Sequence, residues 1–325
     1  MRAAAWSLYA GVMDLPERPL RVLQTRLRGG RMGWLFVGPN LLVFALFTFL
    51  PIALDVYYAL TGGTALLPRD RPYAGAENFS ELLACGDHLD PTTCTVDLFW
   101  FGVWNTLRFV VLQVGLMVLF SLITALALNA HIKGRGFFRA ALFYPVLLSP
   151  VVVALIWKWI LARDGLLNAA VQGVGASPVN WLLDANWAFF WTVFVSIWAH
   201  MGFYTLILLA GLQAIPADIY EAAAMDAARP WRVFRRVTLP LLVPSLLVVL
   251  VLALIRAVQI FDEVYVLTGG GPGSATTYLV QFIYSTGFAQ QVRRFGLASA
   301  ASLLLAAVLM ALTLLQLALM RRSRG

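Results

Sequence analysis

The chain has 325 residues, of which 61% are hydrophobic and 12% are charged, and its mean hydropathy is +0.80. A soluble domain carries about 25% charged residues, so this composition excludes an ordinary soluble protein and indicates a helical membrane protein. The net charge of +8 could suggest nucleic acid, but the arginines fall into short clusters between apolar runs, which fits membrane topology better. No nucleic-acid partner is therefore expected.

Residues 1–33 are predicted to form a cytoplasmic N-terminal tail. Their apolar stretch, residues 3–13, is short and runs into Asp14, and no small-residue cleavage site follows it. These features argue against a signal peptide.

Six apolar segments are long enough to cross a bilayer core of about 30 Å as helices of about 20 residues. The predicted fold is therefore all-α, a polytopic membrane domain over residues 34–320. Its six spans are predicted at 34–60, 101–128, 140–162, 188–213, 241–267 and 295–320.

The 61–100 loop contains both cysteines of the chain, Cys85 and Cys94. His88 lies between them, but two cysteines and one histidine are too few for a convincing metal site. No metal is expected, and whether the cysteines form a disulfide stays open.

Basic residues predict the orientation. The tail holds six, the 129–139 loop three, the 214–240 loop four and the segment after the last span three, which makes sixteen of the 24 on one side. The positive-inside rule places that side, with both termini and the short tail 321–325, in the cytoplasm.

The fourth predicted span carries a polar stripe near its middle. Ser196, His200 and Phe203 are spaced i, i+4 and i+7, so they share one helical face. Ionisable residues inside spans are functional candidates by default, and a sugar requires polar groups and an aromatic ring. The alternative is that His200 is a satisfied histidine of the helix bundle.

The fifth predicted span carries a second stripe. Arg256, Gln259 and Glu263 are spaced i, i+3 and i+7. This face could line a substrate path together with the fourth span, or Arg256 could pair with Glu263 and only fix the packing.

The 214–240 loop is unusually polar for its position between two apolar spans. Asp218 and Glu221 have the spacing of an N-terminal capping box, and Pro230 can begin a second short helix. The sequence predicts two short helices bent against each other, either docking another protein or lying at the membrane surface with their arginines on lipid headgroups.

The same loop resembles the signature of membrane subunits of binding-protein-dependent ABC importers. It reads Glu221-Ala222-Ala223, then Ala227 where the family has Gly, then "VTLP" at 237–240. The resemblance implies a coupling helix that docks on an ATPase, and the change at 227 suggests that the bend moves to residues 229–230. The implied coupling residues are Glu221, Ala222, Ala223, Asp226, Ala227, Leu239 and Pro240.

Further stretches resemble the carbohydrate-importer branch of that family, among them "NFSELL" at 78–83, "NTLRF" at 105–109 and "FDEVYVLTGGGPGSATTYLVQFIY" at 261–284. Maltose-type permeases of this branch line their substrate path at positions that match Ser196, Ala199, His200 and Phe203 on the fourth span and Arg256, Ala257 and Ile260 on the fifth. The candidate path residues are Ser196, Ala199, His200, Phe203, Arg256, Ala257, Gln259 and Ile260.

No catalytic chemistry is expected in the chain itself. The run "TGGGPGSATT" lacks the lysine of a phosphate-binding loop, and no carboxylate pair or nucleophile–histidine arrangement is present. The resemblance implies that a partner ATPase uses ATP and Mg²⁺ and that this chain binds no cofactor. It also implies a second permease, two ATPase subunits and an external solute-binding protein in a bacterial or archaeal cytoplasmic membrane.

Two alternatives to sugar import stay open. Arg256 would suit an anionic solute such as glycerol phosphate, imported by the same machinery. A self-sufficient secondary transporter is less favoured, because no acidic residue lies at the middle of a predicted span.

Overall fold

The computed structural model describes residues 31–130 and 133–322, which form helices and, among the described residues, no β-strand. The predicted all-α fold is confirmed. Residues 1–30 of the predicted N-terminal tail and 323–325 of the C-terminal tail lie outside the described residues. The α-helices in chain order are α1 (Arg31–Phe44), α2 (Leu50–Ala59), α3 (Glu77–Leu83), α4 (Asp97–Asn129), α5 (Arg135–Phe143), α6 (Pro150–Ile160), α7 (Leu166–Gly173), α8 (Ala185–Gln213), α9 (Ala217–Met225), α10 (Pro230–Val233), α11 (Leu239–Val258), α12 (Asp262–Leu267), α13 (Leu279–Tyr284) and α14 (Phe295–Arg322).

Within the described residues, five stretches are long and apolar enough to cross a membrane as helices. We number them by their place in the predicted order, as spans 1, 2, 4, 5 and 6: Val37–Ala59, Asp97–Asn129, Ala185–Gln213, Pro230–Val258 and Phe295–Gln316. Span 1 joins α1 and α2 through a π-helical turn at Ala45–Phe49.

The predicted third span, 140–162, is not one continuous helix. The segments Arg135–Leu147 and Pro150–Ile160 meet at an angle of 100°. Ser149 is extended at the break, with ψ of 137°, because the ring of a following proline disfavours the helical conformation of the residue before it. A count of apolar residues includes Pro150 in the run and therefore does not show this break.

The predicted fifth span, 241–267, is also shifted. Its helix begins at Pro230, passes through a π-helical turn at Phe234–Thr238 and ends at Val258. Phe261 leaves the helical region with φ of −149°, and the separate helix α12 then begins with two acidic residues, which are favoured at a helix N-terminus.

Spans 2, 4 and 5 pack around a shared apolar core. Phe109, Leu208 and Val249 are fully buried in it, one from each span. Close approach depends on small residues: a Cβ added to Gly211 of α8 would lie 2.2 Å from Ser245 Oγ of α11. A Cβ added to Gly202 would lie 2.0 Å from the carbonyl oxygen of Leu142, so the bent third span also packs directly on α8.

Two loops outside the spans, the 61–100 loop and the glycine-rich loop after α12, are held by specific bonds. Cys85 and Cys94 form a disulfide, so neither thiol remains for the metal site weighed from the sequence. Asn105 Nδ2 of α4 donates to the carbonyl oxygens of Ser274 (2.7 Å) and Thr277 (3.1 Å) in the glycine-rich loop.

Candidate functional site

A polar cluster joins span 4, span 5 and α12. Arg256 Nη2 lies 2.8 Å from His200 Nε2 and 3.8 Å from Glu263 Oε2, and His200 Nδ1 lies 4.0 Å from Glu263 Oε1. The Arg256 side chain is 41% exposed, whereas that of Glu263 is 5% exposed. The break between Val258 and Asp262 turns Glu263 toward Arg256, so the regular stripe predicted for one continuous helix does not form.

Hydrogen bonding determines which nitrogen of the His200 ring carries the proton. His200 Nδ1 lies 2.9 Å from the carbonyl oxygen of Ser196, which can only accept, so Nδ1 carries a proton. Nε2 must then accept from Arg256, because a guanidinium has only donors. The cluster therefore contains one cation, one buried carboxylate and a neutral imidazole, with no net charge.

The other predicted path residues lie in different surroundings. Ala257 and Ile260 are buried in the core shared by spans 2, 4 and 5, and Ala199 is buried against the apolar face of α6. Phe203 and Gln259 are exposed. The structure thus brings His200 and Arg256 together with Ser196, and adds Glu263 as their buried partner.

The loop between spans 4 and 5 contains the short helix α9. Its N-cap is Pro216, with no side-chain cap, and Asp218 lies inside the first turn. The predicted capping box between Asp218 and Glu221 is therefore wrong, because the helix begins two residues earlier than the box requires.

The end of α9 is built around Ala227. This residue has φ of +50°, in the left-handed region that glycine prefers. The Ala228 amide donates to the carbonyl of Ala223 (3.0 Å) and the Ala227 amide to that of Ala224 (3.0 Å), the two bonds of a Schellman motif. The predicted relocation of the bend is therefore wrong: the chain turns at Ala227 itself, and extended Arg229 then leads into Pro230.

The second predicted short helix does not end before the membrane. It continues from Pro230 through the π-helical turn into span 5, with Leu239 and Pro240 inside the continuous helix. Trp231 stacks on Phe234 near its start, with ring centroids 5.4 Å apart.

One face of α9 is exposed in the part of the chain that the structure describes. Glu221, Ala222 and Met225 are exposed on it, with Met225 at 89%, and Asp226 is exposed just beyond the helix. Ala223 is only half-buried, on the side of Tyr220.

A contact that the sequence did not suggest links this helix to span 5. Tyr220 Oη and Thr238 Oγ1 lie 3.2 Å apart, and Thr238 is buried. This pair of hydroxyl groups joins α9 to the first turns of span 5. The feature of the sequence that could have indicated this contact is Thr238, a threonine at the polar end of an apolar span.

Comparison with known proteins gives a consistent result. Residues 117–325 match the family described as binding-protein-dependent transport system inner membrane component. The chain is 35% identical to the trehalose/maltose transport system permease protein MalF of Thermococcus litoralis, over 90% of this chain and 94% of that protein. It is 32% identical to the multiple sugar-binding transport system permease protein MsmF of Streptococcus mutans, over 89% and 95%. It is also 32% identical to the lactose transport system permease protein LacF of Rhizobium radiobacter, over 79% and 83%.

A solved structure shares the fold. It is a chain of a bacterial ABC transporter involved in the import of the acidic polysaccharide alginate, with a TM-score of 0.75 and 24% identity, over 92% of this chain and 98% of that one.

Proposed function

The chain belongs to the family of binding-protein-dependent transport system inner membrane components and is a permease subunit of an ABC importer, and from this premise we propose that its solute is a sugar. It would form half of the membrane path, with a second permease, two ATPase subunits that use ATP and Mg²⁺, and an external solute-binding protein. The names of the relatives, for trehalose/maltose, multiple sugars and lactose, support this solute class. The excess of basic residues on one side supports cytoplasmic termini and a cytoplasmic α9.

The state of the polar cluster favours a neutral solute over an anion. An arginine that recognises an anion must offer its charge to the solute, but the charge of Arg256 is already offset by buried Glu263 at 3.8 Å. The remaining N–H groups of the Arg256 guanidinium still offer donors to hydroxyl groups. This pairing is the observation that carries the choice of a sugar over glycerol phosphate.

Uptake by the assembled importer tests this choice. We expect the importer in sealed vesicles, with its binding protein and ATP, to take up a neutral sugar such as trehalose, maltose or lactose. Excess glycerol phosphate should not compete. Uptake of glycerol phosphate with no uptake of neutral sugars would overturn the proposal.

We further propose that the exposed face of α9 is the surface that docks on the ATPase. The face is small and smooth at Ala222, which lets another backbone approach closely, and Glu221 beside it can pair with a basic group. Tyr220 and Thr238 then connect the docked helix to span 5. ATP binding would move α9, and the paired hydroxyl groups would pass the movement to the span that carries Arg256.

Two alanines of α9, two positions apart, provide a matched test of this surface. Ala222→Trp places a large side chain on the proposed docking face, whereas Ala224→Trp places it about 200° around the helix, since each residue turns the helix by about 100°. Both positions are exposed. We expect only Ala222→Trp to release the ATPase subunits during purification, with a loss of sugar-stimulated ATP hydrolysis of about tenfold or more. Normal hydrolysis in Ala222→Trp would refute the docking role.

A further inference from the structure

A groove between spans 2 and 4 begins at the membrane end that carries the disulfide loop. Its first part is a cavity of about 870 Å³. Trp104, Asn105 and Arg108 of α4 line one side of this cavity, and Asn186 and Phe189 of α8 line the other. Half of the residues that line this part of the groove are polar or aromatic, and the other half are aliphatic residues or prolines.

The groove continues deeper along the same two helices. Its second part is a neighbouring cavity of about 590 Å³ on these helices, and Phe189 belongs to the lining of both parts. The second part is lined by apolar side chains: Leu112, Leu116, Phe120, Phe189, Phe190, Val193, Phe194, Ile197, Trp198 and Met201.

The length of the apolar part matches one leaflet of a bilayer. Leu112 to Phe120 on α4, and Val193 to Met201 on α8, each rise about 12 Å at 1.5 Å per residue. Half of a hydrocarbon core of about 30 Å is about 15 Å. Arg108 lies one turn above Leu112, so it stands near the depth of the lipid headgroups, where tryptophans such as Trp104 are also enriched.

The charge of the groove is unbalanced. Arg108 is the charged residue among those that line it, no carboxylate lines either part, and within the described residues Arg108 has no hydrogen-bonding or ion-pair partner. A cation at this depth is stabilised by an anion or by water. Asn186 adds a side chain with hydrogen-bonding capacity at the same end.

We propose that this groove binds one anionic phospholipid, with its phosphate on Arg108 and one acyl chain in the apolar part. A hydroxylated headgroup such as that of phosphatidylglycerol would lie against Asn186, whereas an ammonium headgroup would find no carboxylate in the lining. A lipid supplies phosphate and hydrocarbon at the two depths where the groove has its cation and its apolar walls. A helix of another subunit would need an acidic residue at the level of Arg108 to do the same.

Retention of lipid by the assembled importer, purified in mild detergent and measured by native mass spectrometry, tests the proposal. With added phosphatidylglycerol, we expect the unaltered importer to carry this lipid and Arg108→Gln to bind it about tenfold more weakly, the effect of losing one charge-assisted hydrogen bond. Leu112→Trp should also reduce binding, because it fills the groove without removing the cation. Arg163→Gln and Leu119→Trp are matched controls at exposed positions outside the lining, and both should bind as the unaltered importer does.

Three results would overturn the proposal. The first is that the unaltered importer retains no phosphatidylglycerol under conditions in which its subunits stay together. The second is equal retention by Arg108→Gln. The third uses a photoreactive amino acid in place of Leu116, which we expect to be cross-linked to lipid. Cross-linking to the second permease instead would show that the groove is a subunit interface.

Discussion

Removal of the positive charge from the polar cluster should destabilise the importer. In Arg256→Gln, buried Glu263 loses the cation 3.8 Å away, and its side chain is only 5% exposed. Removing one partner of a buried ion pair costs about 3–5 kcal/mol. Because Arg256 is itself 41% exposed, we expect the lower end, about 3 kcal/mol, which corresponds to a decrease of roughly 6–12 °C in the thermal midpoint.

A second substitution separates charge compensation from other effects. Glu263→Gln in the Arg256→Gln background removes the uncompensated carboxylate, so it should restore most of the lost stability, a coupling of about 2 kcal/mol or more between the two sites. The assay is thermal unfolding of the assembled importer in detergent, together with sugar uptake. Uptake should stay reduced in the double variant, because the guanidinium that we propose as a donor to the sugar is absent.

A matched control exists in the same chain. Arg294, which is 43% exposed, pairs with Glu81, but this carboxylate is 32% exposed. Arg294→Gln should therefore cost less than about 1 kcal/mol, as for surface ion pairs. Equal losses in Arg256→Gln and Arg294→Gln, or additive losses in the double variant, would refute the reasoning that a buried carboxylate depends on Arg256.

Three other predictions concern the loop after span 4 and the first turns of span 5. Ala227→Gly should raise stability by about 0.5–1 kcal/mol, because glycine adopts the left-handed conformation without the strain of a Cβ; a lower thermal midpoint would contradict it. Tyr220→Phe removes the hydroxyl 3.2 Å from Thr238, so it should cost about 1 kcal/mol and weaken stimulation of the ATPase by the sugar-loaded binding protein. Thr238→Val should weaken stimulation to the same extent, and the double variant should lose no more than either single variant. Full stimulation in both single variants would refute the proposed link. A cysteine in place of Pro230 should be labelled only after the membrane is opened, whereas Cys85, once reduced, should be labelled from outside; external labelling at 230 would reverse the proposed orientation.

Apolar runs placed spans 1, 2, 4 and 6 within a few residues of the helices in the structure, but they did not show where a span breaks. The third span breaks at Ser149 because proline follows it, and a count of apolar residues treats proline as part of the run. The fifth span ends at Val258 although no proline or glycine stands there. Beyond this end Glu263 lies 3.8 Å from Arg256, a pairing that a count of apolar residues does not contain.

The candidate sites were predicted in part for similar reasons. His200 and Arg256, one from each predicted stripe, meet in the structure, but helical spacing shows only which residues of one helix share a face and not that two faces meet. The turn at Ala227 was missed because propensity disfavours alanine there, and the two Schellman bonds outweigh that preference. The link between Tyr220 and Thr238 joins residues 18 positions apart and depends on how α9 folds back on span 5.

Chemical cross-linking from the exposed end of α9 tests the proposed coupling most directly. Met225 is 89% exposed, and Leu183, in the loop before span 4, is 75% exposed. In membranes that contain the whole importer, a cysteine at 225 should be cross-linked to the ATPase subunit, and a cysteine at 183 should not. A cysteine at 225 that gives no ATPase adduct in an importer active in sugar uptake would contradict the account.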